Sequence, residues 1–208
     1  MQNEKIVIID YGMGNLRSIQ KSILRLGYET IISSQPLDIL TAEKLILPGV
    51  GHFANGMKNL AGRGLIAPLN EMVLEKKIQI LGICLGMQLF GEKSEEGNTQ
   101  GLNWIKADTV RFNVKDKKKF KVPHMGWNSL SHKSVNPLLN NINENDLFYF
   151  VHSYHLVCKS KADIICSTTY NYEFTSAISF NNINGVQFHP EKSHKQGLQI
   201  LKNFIELL

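Results

Sequence analysis

Gln79-Ile80-Leu81-Gly82-Ile83-Cys84-Leu85-Gly86-Met87-Gln88 (QILGICLGMQ) carries the architecture of the chain. Residues 78–82 are apolar at nearly every position, without alternation between an inner and an outer face. Such a run belongs to a strand covered on both sides, as in a parallel sheet. Cys84 then sits between Gly82 and Gly86 in a G-x-nucleophile-x-G pattern, the form of a sharp turn from strand into helix. Small residues two positions either side let the backbone turn that tightly. A helix starting near Leu85 would aim its N-terminus at the thiol and favour the thiolate. The pattern alone leaves two readings of Cys84. It is a nucleophile raised on a turn, or a small apolar side chain packed in a core.

Strand and helix signals alternate on the N-terminal side of this stretch. Lys5–Ile9, Thr30–Ile32 and Lys44–Leu47 read as short strands. Leu16, Ile19, Ile23 and Leu26 recur at helical spacing, and Gly27 supplies the stop. Leu69, Met72 and Val73 mark a helix over about 68–77. On the C-terminal side, Thr109–Phe112, Leu147–Val151, Ile164–Thr169, Ala177–Phe180 and Gly185–Phe188 read as strands between Asn- and Gly-containing turns. Leu198, Leu201, Phe204, Ile205 and Leu208 form the apolar stripe of a closing helix. The expected fold is α/β and three-layered. Helices cover both faces of a mostly parallel central sheet, and antiparallel strands are added to it. No Pro-, Gly- or Ser-rich linker divides the chain, so residues 1–208 are expected to form a single domain.

With 208 residues, 43% apolar and 20% charged, the chain can bury a sizeable core and does not read as disordered. The apolar run Ile6–Ile9 is too short for a signal-peptide core or a membrane span. A cytoplasmic protein is expected. Its three cysteines (Cys84, Cys158, Cys166) suit a reducing compartment and match no common zinc spacing. No metal or cofactor is expected. The net charge is +5, but the basic residues are spread along the chain. The dense run over residues 115–121 reads as a solvated hairpin or loop, or as a surface facing an acidic partner or a phosphorylated substrate, and not as a nucleic-acid site.

A thiolate used in acyl transfer needs a proton partner. Of seven histidines, His189 is the most suggestive. It lies just beyond an apolar strand in Gly185-Val186-Gln187-Phe188-His189-Pro190-Glu191, where active-site residues of open α/β sheets gather. Glu191 is spaced to accept from its imidazole and fix the tautomer. Alone, this stretch is equally a surface turn. The loop Gly49-Val50-Gly51 follows a strand and is either an ordinary turn or a set of backbone N–H groups facing an anion. Asp10-Tyr11-Gly12-Met13-Gly14-Asn15 superficially resembles a dinucleotide loop, but Arg17 breaks the G-x-G-x-x-G pattern.

Gly82–Gln88 (GICLGMQ) together with Phe188–Glu191 (FHPE) resembles the class I, triad-type glutamine amidotransferases. The segments DYGMGNLR (10–17), PGVGHF (48–53), SEEG (94–97), VPHMGWN (122–128), FYFVHSY (148–154) and GVQFHPEKS (185–193) are similar to the glutaminase subunits of imidazole glycerol phosphate synthases. The resemblance implies hydrolysis of glutamine, with Cys84 as nucleophile, His189 as proton carrier and Glu191 as its orienter. It implies that Gln88, Glu95 or Glu96, Ser153 and Tyr154 hold glutamine. It implies that the N–H groups of the Gly49-Val50-Gly51 loop and of Leu85 form an oxyanion hole, part of which would need to flip. It further implies a heterodimer with a (β/α)₈-barrel synthase that receives the ammonia, with Asn15, Met125, Trp127 and Lys192 at or near the interface. Three positions, at two places, depart from the usual pattern. His155 replaces a common tyrosine, and Phe90-Gly91 replaces an aliphatic and an aromatic residue. Those departures keep a second partner open, an amidating enzyme of cell-surface sugar biosynthesis.

Overall fold

The computed structural model describes residues 4–116 and 118–208. Residues 1–3 of the N-terminal stretch and Lys117 of the basic run lie outside the described residues. The strands are β1 (Ile6–Ile9), β2 (Thr30–Ser33), β3 (Lys44–Leu47), β4 (Gln79–Ile83), β5 (Lys93–Ser94), β6 (Thr99–Gln100) and β7 (Ala107–Arg111). They continue as β8 (His124–Ser129), β9 (Ser131–His132), β10 (Leu147–His152), β11 (Tyr154–Cys158), β12 (Ile164–Tyr170), β13 (Tyr172–Phe180) and β14 (Ile183–Val186). The α-helices are α1 (Leu16–Leu24), α2 (Pro36–Leu40), α3 (Phe53–Gly62), α4 (Ile66–Asn70), α5 (Leu85–Leu89) and α6 (His194–Leu207).

The main sheet has eight strands in the order β2-β1-β3-β4-β14-β13-β12-β9. The pairs β2/β1, β1/β3, β3/β4 and β4/β14 are parallel, and β14/β13, β13/β12 and β12/β9 are antiparallel. This is the expected sheet, mostly parallel with antiparallel strands added at one side. The unbroken apolar runs follow from it. In β1, Ile6 and Ile8 join the core under α1 and α6, while Val7 and Ile9 join the core under α3 and α4. In β4, Leu81 and Ile83 take the first face and Ile80 the second. Each strand is apolar throughout because both faces are roofed by helices.

Local signals act as read. Gly27 takes φ +89 after α1, its N–H bonds to the Leu24 carbonyl, and the Tyr28 N–H bonds back to Ile23. Those bonds cap the helix with a left-handed glycine. Two features differ from the sequence reading. The helix expected over 68–77 runs as α4 and then as a π-type turn over Glu71–Glu75, with the Lys76 N–H on the Glu71 carbonyl. The buried Asn182 amide takes the Val73 and Ile78 carbonyls, which widens the turn there. Next, β7 and β10 leave the main sheet. β10 pairs with β8 in a two-stranded ribbon, and β7 lies between β11 and β5 in a four-stranded sheet. Both find partners that the sequence did not mark. In the basic run the Asp116 carboxylate accepts from the Lys118 and Lys119 N–H groups, which folds those residues into an exposed turn, in keeping with the solvated loop expected there. Among the described residues no helix is long and apolar enough to cross a membrane.

Candidate active site

The site stands at the carboxyl ends of the parallel strands. Cys84 follows β4 with φ +54 and ψ −109, a conformation that L-residues rarely hold. Its N–H is tied to the Val186 carbonyl at 2.8 Å, and its carbonyl accepts from the Gln88 N–H at 3.2 Å. The turn is possible because Gly82 and Gly86 lack a Cβ. One built on Gly82 would meet Met87 backbone at 2.7 Å, and one on Gly86 would meet the Leu47 carbonyl oxygen at 1.7 Å. The helix that follows, α5, has only five residues. The field at the thiol is therefore that of a little more than one helical turn, less than the sequence reading expects of a full helix.

His189 follows β14 and a two-residue extension, and its N–H bonds to the Tyr149 carbonyl at 2.9 Å. Its Nδ1 lies 2.8 Å from Glu191 Oε1, with both side chains at most 2% exposed. Its Nε2 is buried without a hydrogen bond among the described residues. Burial works against the charged imidazolium. The Cys84 sulfur and the Glu191 carboxylate outweigh it and raise the His189 pKa to about 10. The charged form is thus favoured by folding. That contribution is complete below the ordinary value of 6.5 and is lost as pH rises through about 10. Replacing Cys84 by Ala leaves Glu191 alone against burial. The His189 titration is then expected below about 10, which an NMR titration of the imidazole reads. An unchanged value would place the cause outside the Cys84–His189 pair.

A cleft of about 280 Å³ opens beside Cys84, lined by Val50, Gly51, Leu85, Gln88, Glu96, Ser153 and Tyr154, with Pro123, Val151 and His152 completing the wall. Seven of the nine residues expected at the glutamine site therefore share one cleft with the sulfur. Gly49 lies just behind it, where an added Cβ would meet Tyr11 Oη at 2.2 Å and Leu85 Cβ at 2.9 Å. Glu95 is set apart: it is exposed, and its carboxylate accepts from the Arg111 N–H at 2.8 Å. Glu96 keeps one carboxylate oxygen on the Phe53 N–H at 2.7 Å. Among the described residues no group of three or more His, Cys, Asp and Glu is placed to hold a metal ion.

The region where an oxyanion hole is expected is filled by the chain itself. The Leu85 N–H donates to the Gly49 carbonyl at 3.3 Å, so this conformation does not offer that donor to a substrate. The DYGMGN loop buttresses it. Gly14 packs on Gly49, and Met13 Cε would lie 2.7 Å from a Cβ on Gly51, which has φ +115. Asn15, exposed at the start of α1, makes no side-chain cap bond. Met125 and Trp127 on β8 are 62% and 45% exposed. Trp127 stacks on His194 with ring centroids 5.0 Å apart, and Lys192 Nζ stands 5.4 Å from the Tyr149 ring centre.

Tyr11, His152 and Gln187 lie in the motif segments quoted above but receive no role from the sequence, yet all three approach the site. Tyr11 is buried, its hydroxyl has no hydrogen-bond partner among the described residues, and burial, then the Cys84 charge, push its pKa far up. The two departures noted in the sequence are packing positions. His155 is buried with Nε2 2.9 Å from the Tyr172 hydroxyl, and Phe90 packs on Trp104 with centroids 5.1 Å apart.

Comparison with known proteins decides the family. The model of the class-I glutamine amidotransferases matches residues 7–207. The chain belongs to that family. Among curated relatives, the amidotransferase is 53% identical over 201 residues to "Imidazole glycerol phosphate synthase subunit HisH 2" of Methanococcus maripaludis, covering 97% of this chain and 98% of the relative. It is 50% identical to the HisH 2 subunit of Pseudomonas aeruginosa, over 98% of this chain and all of the relative. The Methanococcus HisH 1 subunit is 47% identical, over 98% of this chain and all of that one. Two solved structures from Thermotoga maritima share the fold at 17% identity. PurLQS has a TM-score of 0.73 over 99% of both chains. A glutamine amidotransferase has a TM-score of 0.63 over all of this chain and 86% of that one.

Proposed function

We propose that this amidotransferase, acting as one domain over residues 1–208, hydrolyses glutamine to glutamate and ammonia at Cys84. It passes the ammonia to a synthase subunit that makes imidazole glycerol phosphate and AICAR in histidine biosynthesis. The observation that carries the reading is the strained Cys84 beside a buried His189–Glu191 pair, at the wall of the cleft that also holds Gln88 and Glu96. The Cys84 thiolate attacks the side-chain amide carbon, and the C–N bond breaks as His189 gives its proton to the departing ammonia. His189 then takes a proton from water, which attacks the glutamyl thioester and returns the thiolate. Glu191 holds the imidazole in the orientation both steps need. Gln88 Oε1 and the Glu96 carboxylate supply acceptors for the substrate's ammonium group.

The negative oxygen of each tetrahedral intermediate needs the Leu85 N–H. The Gly49 carbonyl holds that donor at rest, so the Gly49–Val50 peptide must rotate. Rotation withdraws the carbonyl and brings the Val50 N–H inward, giving two donors where there were none. Val50 is exposed, as are Asn15, Met125, Trp127 and Lys192. A (β/α)₈-barrel partner seated on this side in a cytoplasmic heterodimer would touch the loop directly. It would also reach His189 through Tyr149, whose ring Lys192 covers and whose carbonyl His189 binds.

The test is the glutaminase rate with and without the barrel subunit and its ligand. Freeing even one oxyanion donor is worth roughly 10²-fold or more. The isolated chain should therefore be at least about 10²-fold slower than the complex. An isolated chain as fast as the complex would contradict the loop's role. A second reading pairs the chain with an amidating enzyme of cell-surface sugar biosynthesis. It is kept open by the departures at His155 and Phe90-Gly91. Copurification separates the two, since each reading names a different partner.

A further inference from the structure

A buried hydrogen-bond chain reaches the Cys84 sulfur, which also faces the Val151 carbonyl at 4.0 Å, and the direction of the chain is fixed from its far end. A backbone carbonyl can only accept. The Tyr154 carbonyl lies 2.9 Å from Gln88 Nε2, so the Gln88 amide must present its nitrogen there. The same Nε2 gives its second hydrogen to Gln187 Oε1, also at 2.9 Å. Gln187 must then point its own nitrogen the other way. That nitrogen stands 3.6 Å from Cys84 Sγ, an N–H···S hydrogen bond. Neither amide has a free choice of orientation, and both side chains are buried, Gln187 completely.

The histidine pair behind the cleft reinforces the same polarity. His152 Nδ1 is 2.7 Å from the Tyr154 carbonyl and must donate to it. Its Nε2 therefore accepts from His124 Nδ1, 3.1 Å away. Burial keeps both rings from charging: His124 is held down to about 4, and His152 well below its ordinary value. The Tyr154 carbonyl is thus pinned by two donors, and the amide chain starts from a fixed point.

We infer that Gln187 is a further catalytic residue whose side-chain N–H hydrogen-bonds the Cys84 thiolate and stabilises it alongside His189. The inference rests on Cys84 being the nucleophile. A donor aimed at the charged form of a group favours that form, and such bonds are stronger than neutral ones. The effect runs through both halves of the reaction. Gln187 raises the fraction of Cys84 ready to attack, and it stabilises the same sulfur when it leaves the thioester. The chain also limits Gln88. With both of its N–H groups committed, Gln88 can offer substrate only its oxygen.

The test is the pH profile of Cys84 alkylation by iodoacetamide, read by mass spectrometry on the peptide that holds Cys84. Cys158 and Cys166 sit in the same samples as slow references, because burial pushes their thiols up to about 11 and 12. Gln187→Met removes the donor and keeps the bulk. The midpoint of the Cys84 profile should rise by about one pH unit, a roughly tenfold loss of rate near pH 7. Gln187→Glu is isosteric, keeps the acceptor for Gln88 and turns a carboxylate oxygen toward the sulfur. Its midpoint should rise further. If Gln187→Met does not fold, as judged by circular dichroism, Gln187→Glu decides. A folded variant with an unchanged midpoint overturns the inference. A wild-type Cys84 that titrates like an ordinary exposed thiol overturns the nucleophile reading beneath it, and this inference with it.

Discussion

Cys84→Ala should abolish glutamine hydrolysis, with a loss of about 10⁴-fold or more, while the protein stays folded. The substitution removes one sulfur atom and keeps the Cβ, so the strained turn, the α5 helix and the cleft wall all have their atoms. The stability change should stay within about 1 kcal/mol. His189 and Glu191 remain, and water could in principle be activated by them directly. Direct attack on an amide, however, lacks the thioester step that divides the barrier. Glutamate release and thermal unfolding check the two halves of the expectation. Hydrolysis above a hundredth of the wild-type rate would show that Cys84 is a packing residue.

Gly86→Ala should instead fail on stability. A Cβ there would stand 1.7 Å from the Leu47 carbonyl oxygen and 2.7 Å from its carbon. Both are backbone atoms at the end of β3, so no side-chain rotamer relieves the clash. Either α5 lifts from the strand or the strand end moves, and the expected cost exceeds about 4 kcal/mol. Any lift would also part the Leu85 N–H from the Gly49 carbonyl. Gly62→Ala at the end of α3 is the matched control, because its Cβ meets nothing within 4 Å. It should leave the protein as stable or raise stability by about 0.5 kcal/mol. Urea unfolding of the two variants reads the contrast. Equal midpoints would mean that the close approach of α5 to β3 is not what requires glycine at residue 86.

The parallel half of the fold was legible because its signals are local. Ile6–Ile9, Lys44–Leu47 and Ile80–Ile83 are each apolar on both faces, and Gly27 ends α1 in the conformation glycine favours. The strand order was not legible, since it depends on which strand follows each crossover. β8 was missed because His124-Met-Gly-Trp-Asn-Ser lacks the β-branched run that marks a strand, and a cross-strand partner, β10, holds it extended. α3 was missed for a related reason: FANGMKNLAG holds two glycines and two asparagines, and burial of Phe53, Gly56 and Leu60 on α5 and its neighbours carries it.

The site divides in the same way. Cys84 and His189 stand in recognisable turns, so residue type and spacing bring them forward. Glu95 and Glu96 are adjacent in sequence, and only the path of the chain decides that Glu96 faces the cleft while Glu95 turns to the Arg111 N–H. Gln187 shares its segment with His189 but gains its meaning from Tyr154 and Gln88, distant in sequence. The Gly49 carbonyl on the Leu85 N–H is a backbone contact, and no residue type announces it.

The most direct measurement is acid quench of the complex during turnover with glutamine, followed by peptide mass analysis. The account predicts a glutamyl group on the peptide carrying Cys84, absent from Cys84→Ala. A glutamyl adduct on any other residue, or undiminished turnover in Cys84→Ala with no adduct at all, would contradict it.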